Sequence, residues 1–372
     1  MTRYRPTVVE VDLDAIRHNV RLLSPPNADL MAIVKADGYG HGAVAVSRAA
    51  LEGGASRLGV ALVEEGLALR EAGIASPILV LTEFPPGSEK EALEAGLTPS
   101  VYSDDGLDRL SDAARALGPP IGVHVKLDTG MHRVGLWPPE DAPAFARRIS
   151  DAGLEIEGVW THFADSESDD EGTLVQLARF RAAVDALAAA GVRPAVLHAA
   201  NSGATIRMPE THLDMVRPGA AVYGLDPGGG IAEGLGLRAA LTWRSAVSMV
   251  KRLPAGERLS YGGRYELERP STIATVPVGY DDGYPRTARD AEVLIGGARR
   301  PVAGTITMDQ ILVDCGDADV GVGDEVVMIG AQGDERITAD ELAERAGTIA
   351  RAVATGIGTR VQREIVSAEA PA

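Results

Sequence analysis

Lys35 closes an apolar run. In the stretch LMAIVKADGYGHGA, residues 30–43, Met31 to Val34 lead straight into the lysine, and three glycines follow. An uninterrupted apolar run of this length reads as a strand buried on both faces. Lysine is seldom buried without a partner. Held in an apolar mouth, a lysine keeps part of its population as neutral amine, which attacks carbonyl carbon. Standing alone, Lys35 would read as a side chain that snorkels from a strand end to water. Its company argues otherwise. Where other apolar runs give way to polar loops, the chain carries Lys126 and Asp128 with Arg133 just beyond, then His162, then Asn201 and Ser202, then Arg217, Gly219 and Ala220.

A repeated unit sets those positions. From Leu30 onward a short apolar run, a turn and a stretch with apolar residues at helical spacing alternate. The runs are LMAIVK, RLGVAL, PILVLT, LTPSVY, IGVHVKLD, LEIEGVWTHF, AVLHAAN and DMVRPGAAVYG. Between them lie stretches such as TLVQLARFRAAVDALAAAG, which ends on Gly191 as a helix should. Eight strands alternating with helices over about 200 residues is the count of an α/β fold of the (β/α)8 TIM-type barrel. Alternation alone does not close a barrel, so a doubly wound sheet is the second reading. In a barrel, function sits where strands end. The loops after the seventh and eighth runs hold NSG and RPGA, whose small residues let backbone N–H groups approach a phosphate. A phosphate site beside a carbonyl-attacking lysine suggests pyridoxal 5'-phosphate, an aldehyde with a phosphate handle.

After about Leu235 the texture changes. ALTWRSAVSMVKRL, STIATVPVG, AEVLIGGARRPVAG, QILVDCG and GDEVVMIG are β-branched segments divided by Gly, Pro and Asp, as in a mostly-β domain. One helix, TADELAERAGTIARAVATG, is expected after them. The expected organisation is an N-terminal strand in residues 1–10, pairing with the β domain, a barrel over 11–235, and the β domain over 236–372. Four of the eight tyrosines, Tyr261, Tyr265, Tyr280 and Tyr284, fall in residues 261–284 beside glycines. Clustered tyrosine commonly marks sheet pairing. Its place in glycine-flanked loops argues instead for hydroxyls presented to a site.

Bulk properties exclude several classes. A net charge of −17 disfavours a nucleic-acid partner, since phosphate binding needs a basic surface. Cys315 is the single cysteine, so no intrachain disulfide and no cysteine-built zinc site is expected. No run approaches the ~20 apolar residues of a membrane helix, and the N-terminus lacks a signal-peptide core. A cytoplasmic protein with no membrane partner is expected. The sequence holds no Gly-Lys-Ser/Thr phosphate loop, Gly-x-Ser-x-Gly elbow or His-Glu-x-x-His pair. Of the histidines, His198 reads as a hydrogen-bonded core residue and His162 as a residue of the mouth. No metal site is expected.

Together VKADGYGHGA, KLDTGMHRVG, THFADSE, HAANSGA, DMVRPGAAVYG, LSYGGRY, PVGYDDG and ITMDQ resemble alanine racemase, a fold-type III pyridoxal-phosphate family, in order from about residue 8 to 363. The resemblance implies a barrel followed by a β domain. It also implies a homodimer in which the β domain of one chain closes the barrel mouth of the other. It implies two-base interconversion of L- and D-alanine, supplying D-alanine for cell-wall peptidoglycan. Lys35 resembles the residue that carries the cofactor. Tyr39, Ser202, Gly219 and Ala220 resemble its phosphate contacts, and Arg217 the partner of its ring nitrogen. His162 would support Arg217, and Arg133 would lie near the ring hydroxyl and the substrate. Tyr261, from the partner chain, matches the second base. Tyr280 and the backbone N–H of Met308 match substrate-binding positions. Lys126 matches a lysine often carbamylated in the family.

The sequence departs from the family pattern near the entrance. Thr305 stands where many members have arginine, Arg351-Ala352 where Tyr-Glu is common, and Thr359 where some have tyrosine. These changes bear on substrate size. The alternatives are a broader amino-acid racemase acting on, for example, serine, a non-catalytic pyridoxal-phosphate-binding protein, and a related barrel decarboxylase.

Overall fold

The computed structural model describes residues 4–118 and 120–366. It divides into two compact units. One comprises Ala15–Gly38 and Ala43–Arg238; the other comprises the chain up to Asp14, Tyr39–Gly42 and the chain from Ala239. The expected cuts at 10 and 235 thus shift, and Tyr39–Gly42 joins the β unit. The reason is close contact at Gly40: the Arg363 side chain donates through Nε to the Gly40 carbonyl at 3.0 Å. A Cβ on Gly40 would stand 2.3 Å from the Ala354 carbonyl oxygen.

The first strand, β1 (Val8–Asp12), belongs to the β unit. The larger unit is a ring of parallel strands: β2 (Asp29–Ile33), β3 (Arg57–Val60), β4 (Ile78–Val80), β5 (Leu97–Thr98), β6 (Ser100–Val101), β7 (Ile121–Lys126), β8 (Leu154–Trp160), β9 (Val196–His198) and β10 (Met215–Val216). β10 pairs with β2, placing Val216 opposite Leu30. β5 pairs with β4 and β6 with β7. Only Pro99 separates β5 from β6, so they are halves of one fourth strand and the ring is the expected eight-stranded barrel. Pro99 has no N–H for the ladder. Its carbonyl still accepts from His124 N at 2.9 Å. The helices between strands bury one stripe each. In Asp104–Arg115, Leu107, Leu110 and Ala114 face inward at helical spacing, and the Ser103 hydroxyl caps the first turn on Gly106 N at 3.0 Å.

In the β unit, β1 lies between two strands. It runs antiparallel to β11 (Leu241–Ala246), with Val9 opposite Trp243, and parallel to Gln362–Val366. The same sheet continues from β11 through Glu325–Gln332 and Glu292–Ile295 to Ala298–Pro301. A second sheet joins Met249–Leu253, Ser271–Val276 and Ile311–Asp314. The expected single helix is two, Ala339–Ala346 and Ala350–Gly356. Gly347, at φ 69°, ends the first in a left-handed cap that a continuous helix cannot accommodate. Among the described residues, no helix is long and apolar enough to cross a membrane.

Candidate active site

Lys35 follows β2 directly and is half-buried. The backbone after it coils with the wrong hand. Ala36, Asp37, Gly38 and Tyr39 have φ of 52°, 51°, 61° and 52°. Each L-residue there costs roughly 1–2 kcal/mol, so the surroundings must hold the turn. Glu65 supplies much of the hold: its Oε1 accepts from Ala36 N at 2.6 Å, and its Oε2 from Ala61 N at 2.8 Å and Leu62 N at 3.1 Å. One carboxylate thereby ties the ends of β2 and β3 together. Asp37 Oδ1 accepts from Ala43 N at 2.8 Å, closing the turn.

On the neighbouring strand of the ring, Arg217 follows β10 and is buried. Its Nη2 donates to the carbonyls of Thr161 at 2.7 Å and Ala199 at 3.0 Å. Burial lowers its pKa to about 9. Lys126, at the end of β7, is also buried, and its Nζ stands 4.4 Å from the Trp160 ring centre. Burial first, then Arg133 and Arg217, lower its pKa to about 7, with Asp128 opposing. His162 is held well below the usual histidine range by burial and by Arg217, Lys126, Arg133 and Lys35. Five groups that are ordinarily basic therefore act on one another within the barrel unit.

Arg217 Nη1 donates to His198 Nδ1 at 3.1 Å, while His162 and Arg217 act on each other through charge. The reason is strand adjacency: His198 ends β9, the neighbour of β10, and pairs with Met215. His162 lies beyond the end of β8, one strand further round. His198 is thus more than a core residue. Its Nε2 meets His124 Nδ1 at 2.8 Å, and its ring stacks on Trp160 at 5.6 Å. Beyond it, His124 Nε2 stands 3.8 Å from Glu157 Oε1, an electrostatic contact. His124 and then Arg57 hold the Glu157 carboxyl down at about 2. Sequence reasoning passed over His124 and Trp160. The available signal was the two-residue period of β7, which puts His124 and Lys126 on one face.

The NSG and RPGA loops are knit together by Ser202. Its buried hydroxyl oxygen accepts from Gly219 N at 2.8 Å and from Ala221 N at 3.4 Å. An oxygen that accepts twice still has its own proton to donate. Asn201 Oδ1 caps Ala204 N at 3.0 Å and accepts from the Ser166 hydroxyl at 2.6 Å, so the loop is fixed from both sides.

Tyr39, Tyr261, Tyr280 and Met308 belong to the β unit. The Tyr39 phenol is pushed up by burial, against the charge of Arg351. Tyr261 is 74% exposed, in the turn Tyr261–Gly263. Before it, Ser260 sits at φ 60°, a conformation that serine rarely adopts. A pair of bonds holds it: the Ser260 hydroxyl donates to the Thr305 carbonyl at 2.6 Å, and the Thr305 hydroxyl to the Tyr261 carbonyl at 2.9 Å. Tyr280 N donates to the Thr307 carbonyl at 3.0 Å and Asp281 N to that of Met308 at 3.1 Å. Of the four clustered tyrosines, only Tyr261 and Tyr280 are exposed. Tyr284 is fully buried against Trp243, and Tyr265 donates to Asp314 at 3.0 Å.

A parallel eight-stranded barrel with ionisable side chains gathered at its strand ends, followed by a mostly-β unit, has the build of a barrel enzyme. Comparison with known proteins narrows the class. Family models for the alanine racemase N-terminal domain and the alanine racemase C-terminal domain match residues 11–227 and 240–365. The chain belongs to the alanine racemase family. It is 50% identical over 364 residues to the alanine racemase of Symbiobacterium thermophilum, covering 96% of this chain and 97% of that one. The crystal structure of alanine racemase from D-cycloserine-producing Streptomyces lavendulae superimposes with a TM-score of 0.93 at 42% identity, covering 98% of each chain. That of Bacillus anthracis alanine racemase with bound L-Ala-P has a TM-score of 0.93 at 38% identity, covering 98% of this chain and 96% of that one.

Proposed function

We propose that this chain is an isomerase that interconverts L- and D-alanine with pyridoxal 5'-phosphate as its cofactor. One observation carries the reading: Lys35 and Arg217 follow the adjacent barrel strands β2 and β10, beside the loop where the Ser202 hydroxyl gathers Gly219 N and Ala221 N, in a chain whose net charge is −17. Cations gathered at a barrel mouth fit an anionic ligand. The Ser202 hydroxyl, fed by Gly219 N and Ala221 N, fits its phosphate. Ala220 would complete that cradle, and the family resemblance assigns Tyr39 to the phosphate as well. When bound, the cofactor makes the α-hydrogen of an amino acid acidic by spreading the charge into its ring.

The chain's residues then have separable tasks. Lys35 would hold the cofactor and would move the proton on one face of the α-carbon. Tyr261 of a second copy of the chain moves it on the other face. Two bases are needed because the proton leaves one side and returns on the opposite side. Arg217 would hold the ring nitrogen as a hydrogen-bond donor that keeps its own proton, which would disfavour side reactions such as transamination. His162 stays neutral beside it. Arg133, Tyr280 and the Met308 N–H hold the substrate. Lys126, with a pKa of about 7, has enough neutral amine to add CO2, which forms an N–C bond and releases one proton. The resulting carbamate would turn a buried cation into an anion facing Arg133.

Borohydride reduction in the presence of pyridoxal phosphate should label Lys35, and the holoenzyme should interconvert the alanine enantiomers. A label mapped to any other lysine overturns the assignment of Lys35, and absence of interconversion overturns the proposed activity.

A further inference from the structure

The two loops assigned to the substrate share a pattern. Tyr280 is followed by Asp281 and Asp282, and Met308 by Asp309. One guanidinium meets all three carboxylates. Arg360 pairs with Asp281 through Nη1, reaches Asp309 through Nη2 at 2.8 Å, and lies 3.1 Å from Asp282 through Nε. Its own position is well anchored. Gly358 N donates to the Asp282 carbonyl at 3.0 Å. Arg363 donates to the carbonyls of Ile357, Gly358 and Val361 at 2.6, 2.6 and 2.7 Å.

Burying Asp282 does not require Arg360. Arg5 grips that carboxylate at 2.7 and 2.5 Å and also donates to the Pro277 carbonyl, while Gly279 N donates to Asp282 at 2.8 Å. The loops' backbones meet closely: a Cβ on Gly279 would stand 2.2 Å from the Met308 carbonyl oxygen. What Arg360 adds is a side-chain bridge from Asp281 to Asp309, the residues next to Tyr280 and Met308. Its planar fork fixes direction as well as charge, which an ammonium does not.

We propose that Arg360 is a positioning residue for the substrate carboxylate, acting by fixing the spacing between the Tyr280 hydroxyl and the Met308 N–H. This rests on the reading that those two groups bind substrate. The Asp281 and Asp309 carboxylates are exposed, where ion pairs contribute little stability, and buried Asp282 is held by Arg5 as well, so the effect belongs to the site rather than to folding.

The test uses the holoenzyme. Arg360→Ala should raise KM for alanine, and the inhibition constant of acetate as a bare carboxylate probe, by roughly tenfold, short of the hundredfold that a 1 Å misplacement can cost. Its kcat, cofactor absorbance and thermal unfolding should stay near those of the parent. Arg360→Lys should leave most of the defect. Combined with Tyr280→Phe, the effect should be less than multiplicative. Asp309→Asn keeps the Arg360 pairs with Asp281 and Asp282 and should shift KM in the same direction, which decides the matter if Arg360→Ala does not fold. An unchanged KM in Arg360→Ala and Asp309→Asn beside a raised one in Tyr280→Phe overturns the inference alone. An unchanged KM in Tyr280→Phe overturns the reading of that tyrosine and the inference with it.

Discussion

Arg217 donates to His198, and the direction of that bond fixes a chain of protons. A guanidinium can only donate, so His198 Nδ1 accepts, at 3.1 Å. His198 must then carry its proton on Nε2 and give it to His124 Nδ1, 2.8 Å away. Both imidazoles are neutral, and burial pushes both pKa values down.

That neutrality makes stability depend on pH. In the unfolded chain these histidines gain protons as pH falls through about 6.5, while the folded chain does not take them up. The unfolded state binds more protons, so stability falls with pH below about 6.5, at up to about 1.4 kcal/mol per pH unit for each such histidine. Urea unfolding of the parent and of His198→Gln between pH 7 and 5 should show a shallower loss in the variant. Equal slopes would mean that His198 is protonated in the folded state.

Lys126 should respond to CO2. With a folded pKa of about 7, its amine becomes available as pH rises through that value. Native mass measurement in bicarbonate buffer should find the mass of one added CO2, more at pH 8 than at pH 6, and none in Lys126→Ala. An adduct retained by Lys126→Ala would place the chemistry elsewhere.

The proposal that Tyr261 serves the site of a second copy has a complementation test. Lys35→Ala and Tyr261→Phe chains should each lose most racemisation when alone. Mixing the two after dissociation should restore part of it, because one site of the hybrid keeps both bases. Recovery no greater than the sum of the separate chains would mean that Tyr261 does not cross between copies. Tyr261→Phe should also slow α-hydrogen exchange unequally for the two enantiomers.

Alanine should be the best substrate, with serine turned over measurably. The Thr305 hydroxyl is engaged on the Tyr261 backbone, and its side chain is short. A pocket rejects an added group by only about 1–3 kcal/mol, so a small gain in width matters. Comparing kcat/KM for alanine, serine and lysine decides it. Strict alanine specificity would mean that Arg351 refills the space.

The barrel was legible in the sequence because its strands are buried on both faces and read as plain apolar runs. Even the fourth run, broken at Pro99, kept its place. Side-chain partners were harder to read. His198 and His162 both end apolar runs, and only the order of strands round the ring shows which one meets Arg217. The tyrosines misled for a related reason: glycine neighbours describe the backbone of Tyr284, not the Trp243 ring against which it packs. The helix at residues 338–356 looked continuous because alanine favours helix throughout, yet Gly347 takes a left-handed cap.

The turn after Lys35 has a consequence for chemical synthesis. Mirror-image residues favour the region that Ala36, Asp37 and Tyr39 occupy, with φ near 50°. A chain assembled with D-alanine at position 36 should keep the backbone bonds to Glu65 and from Gly38 N to the Val34 carbonyl, and should shed about 1 kcal/mol of strain. The handedness of this segment is therefore imposed by its neighbours rather than chosen by its own residues.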